Sequence, residues 1–333
     1  MSLSPSWRLI AALLFSIFGS FALGAVILPM LRRLKAGQTI REEMHASHQA
    51  KAGTPTMGGL IFVIPAAVAT LLFSPRDSDS VTRMIIALIL TLGHGLLGFL
   101  DDYIKVVLKR SLGLRAREKL LGQVLLAGVL GYGAVEVLGL GTDVTIPFVN
   151  LPIHLGRPLY YLLILIIVWG TANAVNFTDG LDGLLASCSV VVFAFYAIFV
   201  SLVKGQVDMA VLSVAIVGGC FGFLRYNSHP ARVFMGDVGS FALGGALAAL
   251  AVLTKTEFLL VIVGGLFVAE ALSVIIQVLS FKLTGRRIFK MAPLHHHFEL
   301  LGWPEGKVLR TFVLSCVVLA VIGWFALPGL VVR

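Results

Sequence analysis

Apolar runs long enough to cross a lipid bilayer follow one another along this chain almost without interruption, and that excludes most folds at once. Hydrocarbon offers a backbone no hydrogen-bond partner, so a spanning run satisfies its own N–H and C=O groups as a helix of about 20 residues. Apolar runs bounded by polar clusters place spans near 7–31, 58–74, 83–100, 119–138, 158–175, 183–203, 209–224, 238–254, 258–280 and 309–330. With 58% hydrophobic and 13% charged residues among 333, and a mean hydropathy of +0.97, a soluble domain is ruled out. The expected architecture is all-α, a polytopic bundle of about ten transmembrane helices with no sheet core. The 139–157 connection, with Pro147, Pro152 and Gly156, reads as a non-spanning excursion holding a small hairpin.

The first run, from Trp7 to about Met30, is longer than the apolar core of a signal peptide, and no secreted domain follows it. It is expected to stay as an uncleaved first span. Cys188, Cys220 and Cys316 lie inside predicted spans without metal-ligand spacing and read as small buried hydrophobes. The net charge of +9 is spread over loops between spans. It fits a membrane surface better than a nucleic acid, and no nucleic-acid partner is expected. Of the 26 Lys and Arg, 19 fall on odd-numbered connections or at the span ends that border them, which the positive-inside rule assigns to the cytoplasm, leaving both termini outside. Arg115, Arg117 and Lys119 are placed to meet anionic head groups.

Four polar islands break the apolar pattern: Asp101-Asp102-Tyr103-Ile104-Lys105, Asn176 to Gly183, Asn227 to Asp237, and His295-His296-His297. All four fall on odd connections, so the chemistry is expected on the cytosolic side. Carboxylates at span ends are expensive unless a cation, water or partner compensates them. Asp101 and Asp102 end the third span at its partially negative terminus. In a continuing helix they point about 100° apart, with Lys105 one turn beyond Asp101. One carboxylate can then meet a metal or act as a base while the other holds a supporting partner.

The stretch Asn176-Phe177-Thr178-Asp179-Gly180-Leu181-Asp182-Gly183 carries an amide, a hydroxyl and two carboxylates, more than the N-capping of a helix requires. It is a natural anion or nucleotide-recognition loop. Asp237 stands at the start of the eighth span, where it could also cap, and Phe234 offers an aromatic face to a base or to lipid. Three adjacent histidines on regular backbone do not converge on one metal, so His295, His296 and His297 suit phosphate or sugar contacts better. Lys51, before Gly53-Thr54-Pro55-Thr56, is a candidate phosphate ligand. His94 and Glu270, inside spans, are expected to make interhelical hydrogen bonds.

Together, Asp101-Asp102-x-x-Lys105, Asn176-Phe-Thr-Asp179-Gly-Leu-Asp182-Gly, Phe234-Met-Gly-Asp237-x-Gly-Ser and Ala292-Pro-Leu-His-His-His-Phe-Glu299 resemble the bacterial phospho-N-acetylmuramoyl-pentapeptide transferase family. The resemblance covers nearly the whole chain, including Lys51 to Gly59. The first three motifs are shared with the wider polyprenyl-phosphate sugar-1-phosphate transferases, and the triple histidine points to the muramoyl branch.

This resemblance implies one transmembrane catalytic domain over residues 1–333, in the bacterial cytoplasmic (inner) membrane, with cytosolic active-site loops. It implies transfer of phospho-N-acetylmuramoyl-pentapeptide from UDP-N-acetylmuramoyl-pentapeptide to undecaprenyl phosphate, giving lipid I and UMP, with Mg2+ as cofactor and a homodimer as assembly. By the same similarity Asp237 is the metal ligand, and Asp101, Asp102, Asp237, Lys105 and His296 are the catalytic set. Asp101 would deprotonate or position the lipid phosphate. Direct attack and a covalent path through Asp237 both remain open. Substrate contacts are implied for Lys51, Thr56, Asn176, Asp179, Gly180, Leu181, Asp182, Asn227, Phe234, Gln277, His295 and His297. The competing expectations are a sibling N-acetylhexosamine-1-phosphate transferase and, remotely, a secondary transporter, whose polar groups would sit nearer the midplane.

Overall fold

The computed structural model describes residues 5–33, 53–110 and 112–326. Lys51 therefore lies outside the described residues. Twelve helices and one two-stranded hairpin are present among them. In chain order they are α1 (Pro5–Arg33), α2 (Leu60–Phe73), α3 (Ser78–Val106), α4 (Ala116–Tyr132), β1 (Asp143–Ile146), β2 (Leu151–His154), α5 (Gly156–Phe177), α6 (Leu184–Leu202), α7 (Val207–Asn227), α8 (Gly236–Leu253), α9 (Glu257–Val263), α10 (Gly265–Thr284), α11 (Leu294–Leu300) and α12 (Glu305–Phe325). A π turn over Gly133–Val137 prolongs α4.

Nine of the described helices are long and apolar enough to cross a membrane, so the chain is a multi-pass membrane protein. Two predicted spans depart from the simple pattern. The 58–74 run yields α2, whose 14 residues reach about 21 Å at about 1.5 Å per residue, short of a hydrocarbon core of about 30 Å. Its first residues are drawn instead into backbone pairing, Gly58 N–H donating to the Phe234 carbonyl at 2.9 Å and Gly59 N–H to that of Met235 at 2.8 Å. The 258–280 run is broken at Gly264 into α9 and α10. The predicted hairpin is present: β1 and β2 pair antiparallel, with Asp143 opposite His154 and Ile146 opposite Leu151.

Helix α8 is the hub. Within its apolar window 89% of residues are buried inside the protein, against 22% for α10 and for α12. Its sequence, GDVGSFALGGALAALAVL, is apolar all round and rich in Gly and Ala, which lets neighbouring backbones approach closely in lipid. Helices α3 and α5 pack against it. At Gly98 of α3 a Cβ would collide with the Asp237 carbonyl at the start of α8, so this glycine sets how near the two helices lie. The C-terminal ends of α3, α5 and α7 and the N-terminal end of α8 carry the first three polar islands. The other ends of α3 and α7 hold a structural ion pair, Arg83 Nε to Asp208 Oδ2 at 2.6 Å.

Candidate active site

Helix α3 runs on through Asp101 and Asp102 to Val106, so the two carboxylates diverge as the helical period requires. Asp101 is fully buried. Its Oδ1 accepts the Leu114 N–H at 2.7 Å and lies 3.1 Å from Lys119 Nζ, while Oδ2 pairs with Lys105 one turn on. Asp102 turns to α8 and accepts the Val238 N–H at 3.2 Å, satisfying one of that helix's free first-turn donors. Thr56, also buried, stands beside it: a Cβ at Gly236 would strike both the Thr56 hydroxyl and the Asp102 carboxylate. Gly236 itself has φ +73°, a conformation that favours glycine.

Asp237 completes the group. Its carboxylate does not cap α8, and neither does the side chain of the N-cap residue Met235. Oδ2 lies 3.0 Å from Lys105 Nζ and 3.3 Å from Lys119 Nζ, and Oδ1 accepts from Asn176 Nδ2 at 2.9 Å. The same amide donates to Ser240 Oγ at 2.8 Å. One ligand oxygen from each of Asp101, Asp102 and Asp237 falls within 4.8 Å of the others. Converging carboxylates with two lysines beside them form a hard-oxygen donor set of the kind that suits Mg2+, which takes one or two carboxylates and completes its shell with water and phosphate oxygens.

Beside this centre lies the 178–183 loop. Asp179 does not cap α6, which begins after Gly183. Burial, and secondarily the nearby Asp237 charge, push the Asp179 carboxyl up to about 7, against the lowering effect of the Gly236 N–H. Gly180 packs against the His295 ring and Leu181 is buried. Asp182 turns the other way: Oδ2 accepts the Ala231 N–H at 3.0 Å and meets His229 Nδ1 at 3.1 Å, which also reaches Glu305 Oε2 at 2.9 Å. Asn227 accepts from Gly183 N–H at 3.1 Å and donates to the Val233 carbonyl at 2.9 Å. Phe234 is half-buried, its backbone N–H donating to the Pro55 carbonyl at 2.8 Å.

The histidine triplet is a short helix, not an exposed turn, and His295 and His296 are buried. His296 Nδ1 lies 2.8 Å from Glu299 Oε2. His297 Nδ1 accepts the Lys290 N–H at 3.1 Å, so that ring braces a loop. Gln277 is likewise occupied with backbone, accepting from Ile288 and Phe289 N–H at 3.0 Å each and donating to the Phe289 carbonyl at 2.8 Å. His94 bonds the Leu90 carbonyl of its own helix at 2.9 Å, where an interhelical bond was expected.

Known proteins resemble the chain in sequence. The family model for glycosyl transferase family 4 matches residues 84–255, and the phospho-N-acetylmuramoyl-pentapeptide-transferase signature 1 matches residues 51–63. The phospho-N-acetylmuramoyl-pentapeptide-transferase of Symbiobacterium thermophilum is 71% identical over 97% of each chain. The protein of the same name from Desulforamulus reducens is 54% identical over 92% of each chain. The one from Bacillus subtilis is 51% identical over 93% of this chain and 96% of its own. The chain belongs to the phospho-N-acetylmuramoyl-pentapeptide-transferase family.

Within this transferase, two site features went unseen in the sequence. Lys119, expected at the head groups with Arg115 and Arg117, turns inward to bridge Asp101 and Asp237, while those two arginines are exposed. Glu305, at the start of α12, joins Asp182 through His229. Neither lies near an acidic motif in sequence, so nothing in local spacing marks them.

Proposed function

We propose that this transferase moves phospho-N-acetylmuramoyl-pentapeptide from its uridine diphosphate carrier to undecaprenyl phosphate, forming lipid I and releasing UMP. The carboxylate group of Asp101, Asp102 and Asp237, closed by Lys105 and Lys119, carries this reading. Two anionic substrates have to meet beside three carboxylates and two ammoniums, a set whose ionised form is net negative. That electrostatic deficit calls for a divalent cation.

Asp237 would hold Mg2+, with Asp101 and Asp102 in reach. The metal supplies charge neutralisation for the diphosphate and the departing UMP. Lys105 and Lys119, held by Asp101, would turn from Asp237 to phosphate oxygens once the cation is bound. Asp101 has both oxygens engaged, by Leu114 N–H and Lys119 on one side and Lys105 on the other. Since much of a phosphate monoester is dianionic near neutrality, with a second pKa of about 6, Asp101 acts by placing the two lysines, not by removing a proton. As the metal ligand Asp237 would not be free to attack, which favours direct attack by the lipid phosphate over a covalent aspartyl path.

The 178–183 loop with Thr56, Asn227, Phe234 and Lys51 would take the uridine nucleotide, Phe234 offering its ring to the base. His295 and His296 would face the phosphate and muramoyl side. The active site would open to the cytoplasm in the bacterial inner membrane, both termini would lie outside, and two copies would associate. Side-by-side turnover with UDP-N-acetylmuramoyl-pentapeptide and UDP-N-acetylglucosamine, each with undecaprenyl phosphate, tests the donor. Strong preference for the muramoyl donor is expected. Preference for the simple hexosamine would move the protein to the sibling branch.

A further inference from the structure

Helix α12 reaches the 178–183 loop with one carboxylate. Glu305 sits in its first turn. Its Oε1 accepts the backbone N–H of Asp182 at 3.4 Å, longer than most such bonds, and its Oε2 lies 2.9 Å from His229 Nδ1. The same ring nitrogen lies 3.1 Å from Asp182 Oδ2, which also accepts the Ala231 N–H at 3.0 Å. Glu305 thus holds Asp182 twice, directly at the backbone and, through the imidazole, at the carboxylate. One turn along α12, Leu309 faces the same place: a Cβ on Gly183 would stand 3.7 Å from its Cδ1.

Burial decides whether such contacts matter. Exposed ion pairs contribute little, but the Asp182 side chain is 1% exposed and that of Glu305 15%, and the His229 ring, 61% exposed, is the solvent-facing member of the three. A buried carboxylate needs donors, and Asp182 finds them in the 227–231 segment. That segment also takes the next residue, Gly183 N–H donating to Asn227 Oδ1 at 3.1 Å, before Gly183 turns into α6 with φ +71°. The start of the loop is carried by α5 instead: the Thr178 hydroxyl donates to the Ala174 carbonyl at 2.9 Å and Asp179 N–H to that of Asn176 at 3.2 Å. The end of the loop is therefore clamped between the 227–231 segment and α12, and Glu305 is the polar part of the clamp that α12 contributes.

We infer that Glu305 is a positioning residue for the nucleotide: from the first turn of α12 it holds Asp182 at the backbone and, with His229, at the carboxylate, so that the 178–183 loop meets the uridine nucleotide already in its binding shape. This rests on the nucleotide reading proposed above. A loop held in one shape before binding loses less freedom when the ligand arrives, and affinity rises accordingly.

The test is calorimetric titration of the full chain in detergent with UDP in Mg2+ buffer, for wild type, Glu305→Ala, Glu305→Gln, His229→Ala and the double variant of Glu305→Gln with His229→Ala. Thermal unfolding and steady-state kinetics of each accompany it. Glu305→Ala is expected to weaken UDP binding by at least about tenfold, the effect of one hydrogen bond to a charged group. Glu305→Gln keeps an oxygen for the Asp182 N–H and loses the charge facing His229, so it should lose less. The double variant should lose less than the product of its two single losses, because both remove the same link. KM for the uridine nucleotide donor should rise with the loss of UDP affinity, while kcat stays within about twofold. Wild-type UDP affinity in Glu305→Ala, a fall in kcat with KM unchanged, or losses that multiply in the double variant overturns the inference. Losses of affinity that follow the fall in melting temperature from variant to variant overturn it too, leaving Glu305 a structural role alone. Wild type that does not bind UDP overturns the nucleotide reading and this inference with it.

Discussion

Lys119 shows what a single side chain contributes that its neighbours in sequence do not. It reaches Asp101 at 3.1 Å and Asp237 at 3.3 Å and rests its ammonium 5.2 Å from the Phe241 ring centroid, while Arg115 and Arg117 stay on the surface. Lys119→Gln is therefore expected to lower turnover at least about tenfold, as losses of preorganised charge at reacting phosphates do, in detergent free of anionic lipid. A loss that appears when anionic lipid is present, and not otherwise, would return Lys119 to the head groups. Asp179 makes a second expectation at this scale. Its carboxyl ionises at about 3.8 in an open chain and about 7 in place, so the folded state holds the proton more tightly. The ionised form thus costs stability, beginning above about pH 3.8 and complete above about pH 7. In metal-free buffer the Tm advantage of Asp179→Asn over wild type should widen by at least about 2 °C between pH 5 and pH 8. A constant difference would contradict it. The acidic positions were legible in the sequence because a charge at a span end has few structural excuses. Lys119 was not, because a basic residue beside a connection that the positive-inside rule assigns to the cytoplasm already has an excuse there, and its partners lie on other helices.

Helix by helix, the apolar runs marked where spans begin and end to within a few residues, since hydrocarbon enforces both length and composition. What they could not mark is shape within a run. Nothing in the 58–74 run distinguishes a full span from the short α2, whose entry is fixed by backbone pairing with a segment some 175 residues later (Gly58 to Phe234). The break at Gly264 is equally silent, because glycines inside other spans interrupt nothing. Close helix approach can be tested by two matched substitutions. Gly98→Ala places a Cβ against the Asp237 carbonyl and should destabilise by about 1–3 kcal/mol, as overpacking does, while displacing Asp237 and lowering turnover. Gly128→Ala meets nothing within 4 Å and should change stability by less than about 0.5 kcal/mol or slightly raise it. Thermal unfolding and turnover of both variants check this; equal effects would mean that the α3 and α8 contact does not set the site.

Over the whole molecule, the chemistry gathers at one end of the bundle because α3, α5 and α7 end there and α8 begins there. The same alternation places the β1–β2 hairpin at the other end if the odd connections are cytoplasmic. The three native cysteines are buried, so single surface cysteines can report sidedness. Phe148→Cys, on the hairpin turn, should react with a membrane-impermeant maleimide in intact spheroplasts, and Arg287→Cys, in the loop before α11, after permeabilisation alone. The reverse pattern would invert the topology. Function reduces to whether Asp237 and a divalent cation work as one centre. The measurement that decides this is UMP release by the purified protein with UDP-N-acetylmuramoyl-pentapeptide and undecaprenyl phosphate, with Mg2+ or with chelator, for wild type and Asp237→Asn. Release that requires both substrates and Mg2+, and falls at least about a thousandfold in Asp237→Asn, as when a group acting in the transition state is lost, is expected. Undiminished release by Asp237→Asn, or by wild type in chelator, would contradict it.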